Sequence, residues 1–165
     1  MTHFETDVLI IGCGIAGATA ALRLAEDPDL HITMVTPEAD PHESNTYYAQ
    51  GGIIYRGDDD SPELLIGDIE RAGAGLSNPV AVRILAQEGP ELVRNLLVDK
   101  LGVPFDSEPG HGMERIKEAA HSTKRIIHVG DYTGRAIQEK LVEALRGCPN
   151  ITLMTKSTAV DLLTT

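Results

Sequence analysis

Gly12, Gly14 and Gly17 follow an apolar run without a gap and open a helix-forming stretch, an arrangement that leaves the start of this chain few ways to fold. Asp7 to Ile11 reads Asp-Val-Leu-Ile-Ile, the β-branched composition of a strand buried on both faces of a parallel sheet. Gly12, Cys13, Gly14, Ile15, Ala16 and Gly17 come next, and Ala18 to Ala25 carries the alanines and leucines of a good helix former. The first glycine closes the turn, the second admits a pyrophosphate to the main chain, and the third lets helix and strand pack closely. The helix N-terminus then faces the negative charge. With these flanks, Gly12 to Gly17 is the expected dinucleotide contact.

A second strand, His31 to Thr36, completes a βαβ unit over 7–36. Such folds place an acid at the end of this strand to hold ribose hydroxyls. Here the strand ends Met34, Val35, Thr36, Pro37, with Glu38 slightly late. Thr36 offers a hydroxyl and Glu38 a carboxylate, and neither specifies NAD.

The segment from Ser44 to Ile53 adds a second candidate contact. Asn45 and Thr46 are helix-capping types, and a short helix starting there presents backbone donors to phosphate. Tyr47, Tyr48 and Ala49 follow. Gln50 adds an amide, and Gly51 with Gly52 removes two side chains in succession, so a flat ring can lie against the main chain. Read alone, the segment fits a surface turn before a strand, Ile53 to Arg56, equally well.

Beyond it, Ser61 and Pro62 start a helix that reaches Ala72 before Gly73 and Gly75 interrupt. Asn78 and Pro79 restart helix through Leu101, with a break expected at Gly89 and Pro90 and closure at Gly102. The helical region is thus 61–102, followed by loop over 103–124. Strands are expected at Arg125 to Val129, Ile151 to Met154 and Ala159 to Leu163, returning to the first sheet. Asp131, Tyr132, Thr133 and Gly134 open a helix from Arg135 to Arg146, with Thr133 as N-cap and Gly147 as C-cap.

The net charge of −11 excludes a nucleic-acid surface, which needs a basic face. Two cysteines, Cys13 and Cys148, make no disulfide framework and suit a reducing compartment. No run is long and apolar enough to cross a bilayer and no secretory signal is visible, so a cytoplasmic enzyme is expected. Asn150, Ile151, Thr152 matches a glycosylation sequon, which has no meaning without secretion. His121 and His128 lie near Arg125 and Asp131, but no recognised ligand spacing is completed and no metal is expected.

The glycine fingerprint, the stretch ending Ala49-Gln50-Gly51-Gly52 and the run from Glu118 to Gly134 together resemble the flavoprotein family of L-aspartate oxidase, succinate dehydrogenase and fumarate reductase, along essentially the whole chain. The resemblance implies an α/β, Rossmann-like FAD-binding domain with a parallel sheet. The fingerprint would bind the FAD pyrophosphate and Gln50 to Gly52 would line the isoalloxazine. In the respiratory members a histidine five residues before the glutamine carries FAD covalently. Asn45 stands there, so non-covalent FAD is expected.

Glu118, in Glu118-Ala119-Ala120-His121-Ser122, resembles the Glu-Gly-Gly-His-Ser of aspartate-oxidising members, where respiratory members tend to have an apolar residue. By itself it reads as a solvated surface carboxylate. In this run it implies a partner for a substrate ammonium, with His121 and Ser122 in support, and an anion left unpaired by succinate. The implied reaction passes a hydride from the α-carbon of L-aspartate to flavin N5 and gives iminosuccinate. Oxygen or fumarate accepts the electrons, and quinolinate synthase is the pathway partner in NAD biosynthesis. The alternatives are a soluble fumarate reductase or succinate-oxidising flavoenzyme, or a flavin-binding fragment without catalysis. Family members are several times longer, so the sheet is expected to be incomplete, with the capping domain and its arginine outside these residues.

Overall fold

A computed structural model describes residues 3–163. Its described residues form two compact units, one within residues 1–49 and 134–165 and the other of residues 50–133.

In the first unit, β1 (Val8–Ile11), β2 (Ile32–Val35) and β7 (Ile151–Met154) make a parallel sheet in the order β1-β2-β7. Val8 pairs with Ile32, and Ile32 with Ile151. Helix α1 (Ile15–Leu24) joins β1 to β2, and α4 (Thr133–Gly147) precedes β7. The core is Ala18, Ala21 and Leu22 of α1, Ile32 and Met34 of β2, and Ile137, Leu141, Val142 and Leu145 of α4. The α4 residues recur at one-turn spacing and so share a helix face.

The expectation that the first strand is buried on both faces fails. Leu9 and Ile11 are 48% and 56% exposed, because the buried side chains of the sheet concentrate on its middle strand. Asn150, of the sequon, donates through Nδ2 to the carbonyls of Ala25, Asp27 and Leu30 at 3.3, 3.1 and 3.1 Å, stitching the start of β7 to the α1–β2 connection. The expected strand at Ala159 to Leu163 does not form. Val160 and Leu163 are 93% and 92% exposed, with no strand partner among the described residues.

In the second unit, β3 (Ile53–Ile54) pairs antiparallel with β6 (Ile126–Ile127). This overturns the expected return of the 125–129 segment to the first sheet, whose strand order leaves it out. Helix α2 (Pro62–Ala72) starts where Ser61 Oγ accepts the Leu64 N–H at 3.2 Å. Helix α3 (Pro79–Val93) starts where Asn78 Oδ1 accepts from Val80 and Ala81. Both are N-caps followed by proline at the first helical position.

The helix does not break at Gly89 and Pro90. Pro90 lies inside α3, and the ladder changes to π-helix only at Arg94–Lys100. Proline has no N–H for the carbonyl four residues back. That carbonyl, Ala86 O, takes a bond from Arg56 Nη2 at 3.1 Å instead. Gly102 ends the helix at φ +61°, and the Val103 N–H reaches back to Leu97 O at 2.9 Å. The expected loop over 103–124 contains a hairpin of β4 (Ser107–Glu108) and β5 (Gly112–Met113), because Glu114 N–H bonds Asp106 O and closes it.

Candidate functional site

The first unit holds the glycine cradle. Gly12 sits at φ +105°, a left-handed conformation that favours glycine, and its N–H bonds Val35 O at 2.9 Å. A Cβ on Gly17 would lie 2.3 Å from Gly12 O, so the third glycine is required by helix-on-strand contact. A Cβ on Gly14 would lie 3.2 Å from Thr46 Oγ1. The side chain that Gly14 omits therefore makes room for Thr46.

Thr46 has a second task. Its Oγ1 accepts the Ile15 N–H at 3.0 Å, supplying the N-cap that Gly14 cannot give α1. The expected helix at Asn45 and Thr46 is a turn, with Tyr47 N–H to Ser44 O and Ala49 N–H to Thr46 O. Ser44 Oγ, not Asn45 or Thr46, accepts the Tyr47 N–H, and the Thr46 hydroxyl is drawn to α1. Tyr47 lies under Arg135, whose guanidinium carbon is 5.7 Å from the ring centroid, and packs edge-on to Tyr48. The Tyr48 hydroxyl bonds Glu43. Gly134 seals the turn: its N–H bonds Ala49 O at 3.0 Å, and a Cβ would lie 2.0 Å from Thr46 O.

One cleft is lined by Ile11–Gly17, Thr36–Glu38 and Glu43–Thr46. Helix α1 has no acid in its first turn, so no carboxylate of its own offsets its positive end at the cleft. Thr36 is 3% exposed, whereas Glu38 is exposed and brings a carboxylate to the cleft. Cys13 lies in the cradle, and burial pushes its thiol up against an opposing influence of Arg146.

Sequence reasoning missed Gln138. It is fully buried on α4, and its Nε2 donates to Cys13 O at 2.8 Å and Pro41 O at 3.2 Å. Across a trans peptide the C=O and the next N–H point in opposite directions. Holding Cys13 O inward therefore turns the Gly14 N–H outward. A polar residue in an apolar helical register was the one available signal.

The second unit holds Gln50, Gly51, Gly52 and the 118–122 turn. Gln50 and Gly51 are exposed. A Cβ on Gly52 would meet Ile126 Cγ2 at 2.3 Å and Ile127 O at 2.6 Å, so the β3–β6 pairing itself requires glycine at this position. A Cβ on Gly51 would meet only Glu118 Oε2, at 3.9 Å. Gly51 and Glu118, distant in sequence, are thus brought together.

His121 N–H closes the turn on Glu118 O at 3.1 Å, and Ala119 takes φ +44°. Beneath the turn, Asp68 Oδ2 accepts the Ser122 N–H at 2.7 Å and the Ser122 hydroxyl at 2.9 Å. Arg125, fully buried, gives Nη1 to the same oxygen at 2.6 Å and clamps Asp60 through Nε and Nη2 at 3.0 and 2.7 Å. Burial pushes the Asp68 carboxyl up. The Ser122 bonds and Arg125 outweigh it and hold the group well below the usual carboxylate range.

His121 and His128 do not converge. His128 Nδ1 is 3.1 Å from Asp106 Oδ2, whereas His121 Nδ1 faces Arg125. Thr133 is the first residue of α4, not its N-cap, because its hydroxyl accepts the Val129 N–H at 3.0 Å. Asp131 is exposed in the preceding turn. Among the described residues no helix is long and apolar enough to cross a membrane.

The profile of the family described as FAD binding domain matches residues 7–165. Curated relatives include the L-aspartate oxidase of Halobacterium salinarum, 41% identical over 159 residues, with 96% of this chain and 30% of the relative covered. The chloroplastic L-aspartate oxidase of Arabidopsis thaliana is 39% identical, with 96% and 24% covered. The chain therefore spans about a quarter to a third of the length of these relatives. Among solved structures, E. coli quinol fumarate reductase FrdA superposes with a TM-score of 0.87 at 24% identity, covering 94% of this chain and 26% of that one. A Mycobacterium smegmatis Sdh1 structure gives 0.82 at 26% identity, covering 94% and 28%. With a glycine cradle of this geometry and a family match along almost its whole length, the chain belongs to the FAD-binding domain family.

Proposed function

We propose that the protein to which these residues belong oxidises L-aspartate to iminosuccinate. FAD, when bound, supplies a two-electron acceptor for this oxidation. Gly12 to Gly17 and Thr46 hold its pyrophosphate, and Glu38 serves its ribose. Thr36, Asn45 and the Tyr47–Ala49 turn complete that half of the contact, and Gln50 to Gly52 line the ring. Asn45 cannot form the histidyl bond of the respiratory members, so the cofactor is held without a covalent link.

Glu118 orients the substrate by pairing with its ammonium through a charge-assisted hydrogen bond. The observation that carries this reading is the meeting of Glu118 Oε2 with the open face of Gly51, in a turn pinned by Ser122 to a buried carboxylate. The names of the curated relatives support it. Oxygen or fumarate takes the electrons, and the unstable imine is passed on to quinolinate synthase in the cytoplasm.

A fumarate- or succinate-handling flavoenzyme is the second reading, favoured by the structural neighbours. Glu118→Gln separates the two in the gene product expressed at its full reading-frame length. Aspartate turnover falls by about ten- to a hundredfold, the range for a hydrogen bond to a charged group. Fumarate reduction persists. Unchanged aspartate turnover overturns the role of Glu118, and peroxide formation from L-aspartate by the 165-residue chain alone shows these residues to be sufficient.

A further inference from the structure

Arg125 does more than neutralise two carboxylates. With Nε and Nη2 committed to Asp60 and one Nη1 proton to Asp68, its remaining Nη1 donor stands 3.1 Å from His121 Nδ1. A guanidinium has no acceptor and does not lose its protons in proteins. The contact therefore has one sense: Arg125 donates and His121 Nδ1 accepts. The proton of the neutral ring is then on Nε2, and no partner for Nε2 is seen among the described residues.

The residues on either side are fixed as firmly. Ser122 is held by two bonds to Asp68 Oδ2, and the His121 N–H is held by Glu118 O. Asp68 and Arg125 are 2% and 0% exposed, and the Asp60 side chain is buried with them. A buried, fully paired cluster keeps one geometry, since breaking any pair leaves an uncompensated charge.

We propose that the Asp60–Arg125–Asp68 cluster is a positioning device that presents His121 as an Nε2–H donor beside Glu118. The 118–122 turn then reads an α-amino dicarboxylate from two sides, the ammonium by Glu118 and a carboxylate oxygen by His121. This rests on the aspartate reading for the ammonium only. The carboxylate contact applies equally to succinate, which has no ammonium.

Long-range nitrogen–proton correlation spectra of the labelled chain, recorded near pH 8 where an ordinary imidazole is neutral, report the tautomer. The Nε2–H form is expected, and the Nδ1–H form overturns the proposal. In the full-length gene product, His121→Leu raises both the KM for L-aspartate and the inhibition constant of succinate by about tenfold or more, the loss expected for a hydrogen bond to a charged group. The flavin absorption spectrum and kcat stay close to the parent. His121→Gln, which keeps a donor, recovers most of the loss. Unchanged succinate inhibition in His121→Leu overturns the carboxylate contact. A Glu118→Gln enzyme with normal aspartate KM, alongside weakened succinate inhibition in His121→Leu, sinks the ammonium reading and leaves the His121 contact standing.

Discussion

Gln138 Nε2 donates to the carbonyl of Cys13 at 2.8 Å, joining a helix near the end of the chain to the middle of the glycine cradle. Both groups are buried, so nothing in solvent replaces the bond if it is removed. Gln138→Leu leaves the Cys13 carbonyl unpaired and frees the Gly14 N–H to turn. The variant is expected to lose about 1–3 kcal/mol of stability and to bind FAD about tenfold more weakly. Flavin fluorescence titration and thermal melts measure the two effects. Wild-type affinity in a destabilised variant would confine Gln138 to a structural role.

Gly17 and Gly51 should separate folding from function. A Cβ at Gly17 meets Gly12 O at 2.3 Å, and neither backbone segment can move away. Gly17→Ala is expected to cost about 2–3 kcal/mol, the upper range for overpacking, and to abolish FAD binding. A Cβ at Gly51 meets only the end of the Glu118 side chain, 3.9 Å away. Gly51→Ala should fold with an unchanged melting temperature, and its effect should appear in FAD affinity and substrate KM.

These two glycines also mark how far the sequence could be read. Gly12, Gly14 and Gly17 were legible because one local motif fixes their backbone roles. The caps at Ser61 and Asn78 were legible for the same reason, since the partner N–H groups lie two or three residues away. The strand Ile151–Met154 announced itself by composition. Gln138 and Arg125 did not, because their partners lie 125 and 65 residues away and no local pattern encodes them. The helix expected at Asn45 failed for a related reason: the Thr46 hydroxyl that should serve its own segment caps α1 instead. That Gly52 also packs against β6 could be seen only once β3 and β6 were paired.

Ala119 holds φ +44°, where an L side chain crowds the following carbonyl. Glycine pays no such penalty there but loses more chain entropy on folding. Ala119→Gly is expected to raise stability by about 1 kcal/mol net, measured as a shift of the urea midpoint at constant slope. A destabilised Ala119→Gly chain would mean that the turn relaxes in solution.

Acid should weaken the second unit through Asp68. Its folded pKa lies below the unfolded value, so its contribution is complete above about pH 4. It is lost as the pH falls toward the lowered folded value. Asp68→Asn cannot titrate. Between about pH 5 and pH 2 its unfolding midpoint should fall less steeply than that of the parent. Parallel slopes would show that other carboxylates carry the acid sensitivity.

Pro90 and Arg56 offer the sharpest test of the helical region. Proline at 90 leaves Ala86 O without its helical donor, and Arg56 Nη2 supplies one at 3.1 Å. Ala86 is fully buried, so its carbonyl has little recourse to water. Arg56→Met should therefore cost about 1–3 kcal/mol in the parent chain. Pro90→Ala restores an N–H four residues after Ala86, and the carbonyl then has two donors. In that background the same Arg56→Met change should cost less by about 1 kcal/mol, a coupling that a double-mutant cycle resolves. Equal costs in both backgrounds would show that Arg56 acts through its neighbour Asp60, 4.0 Å away, and not through the carbonyl that Pro90 orphans.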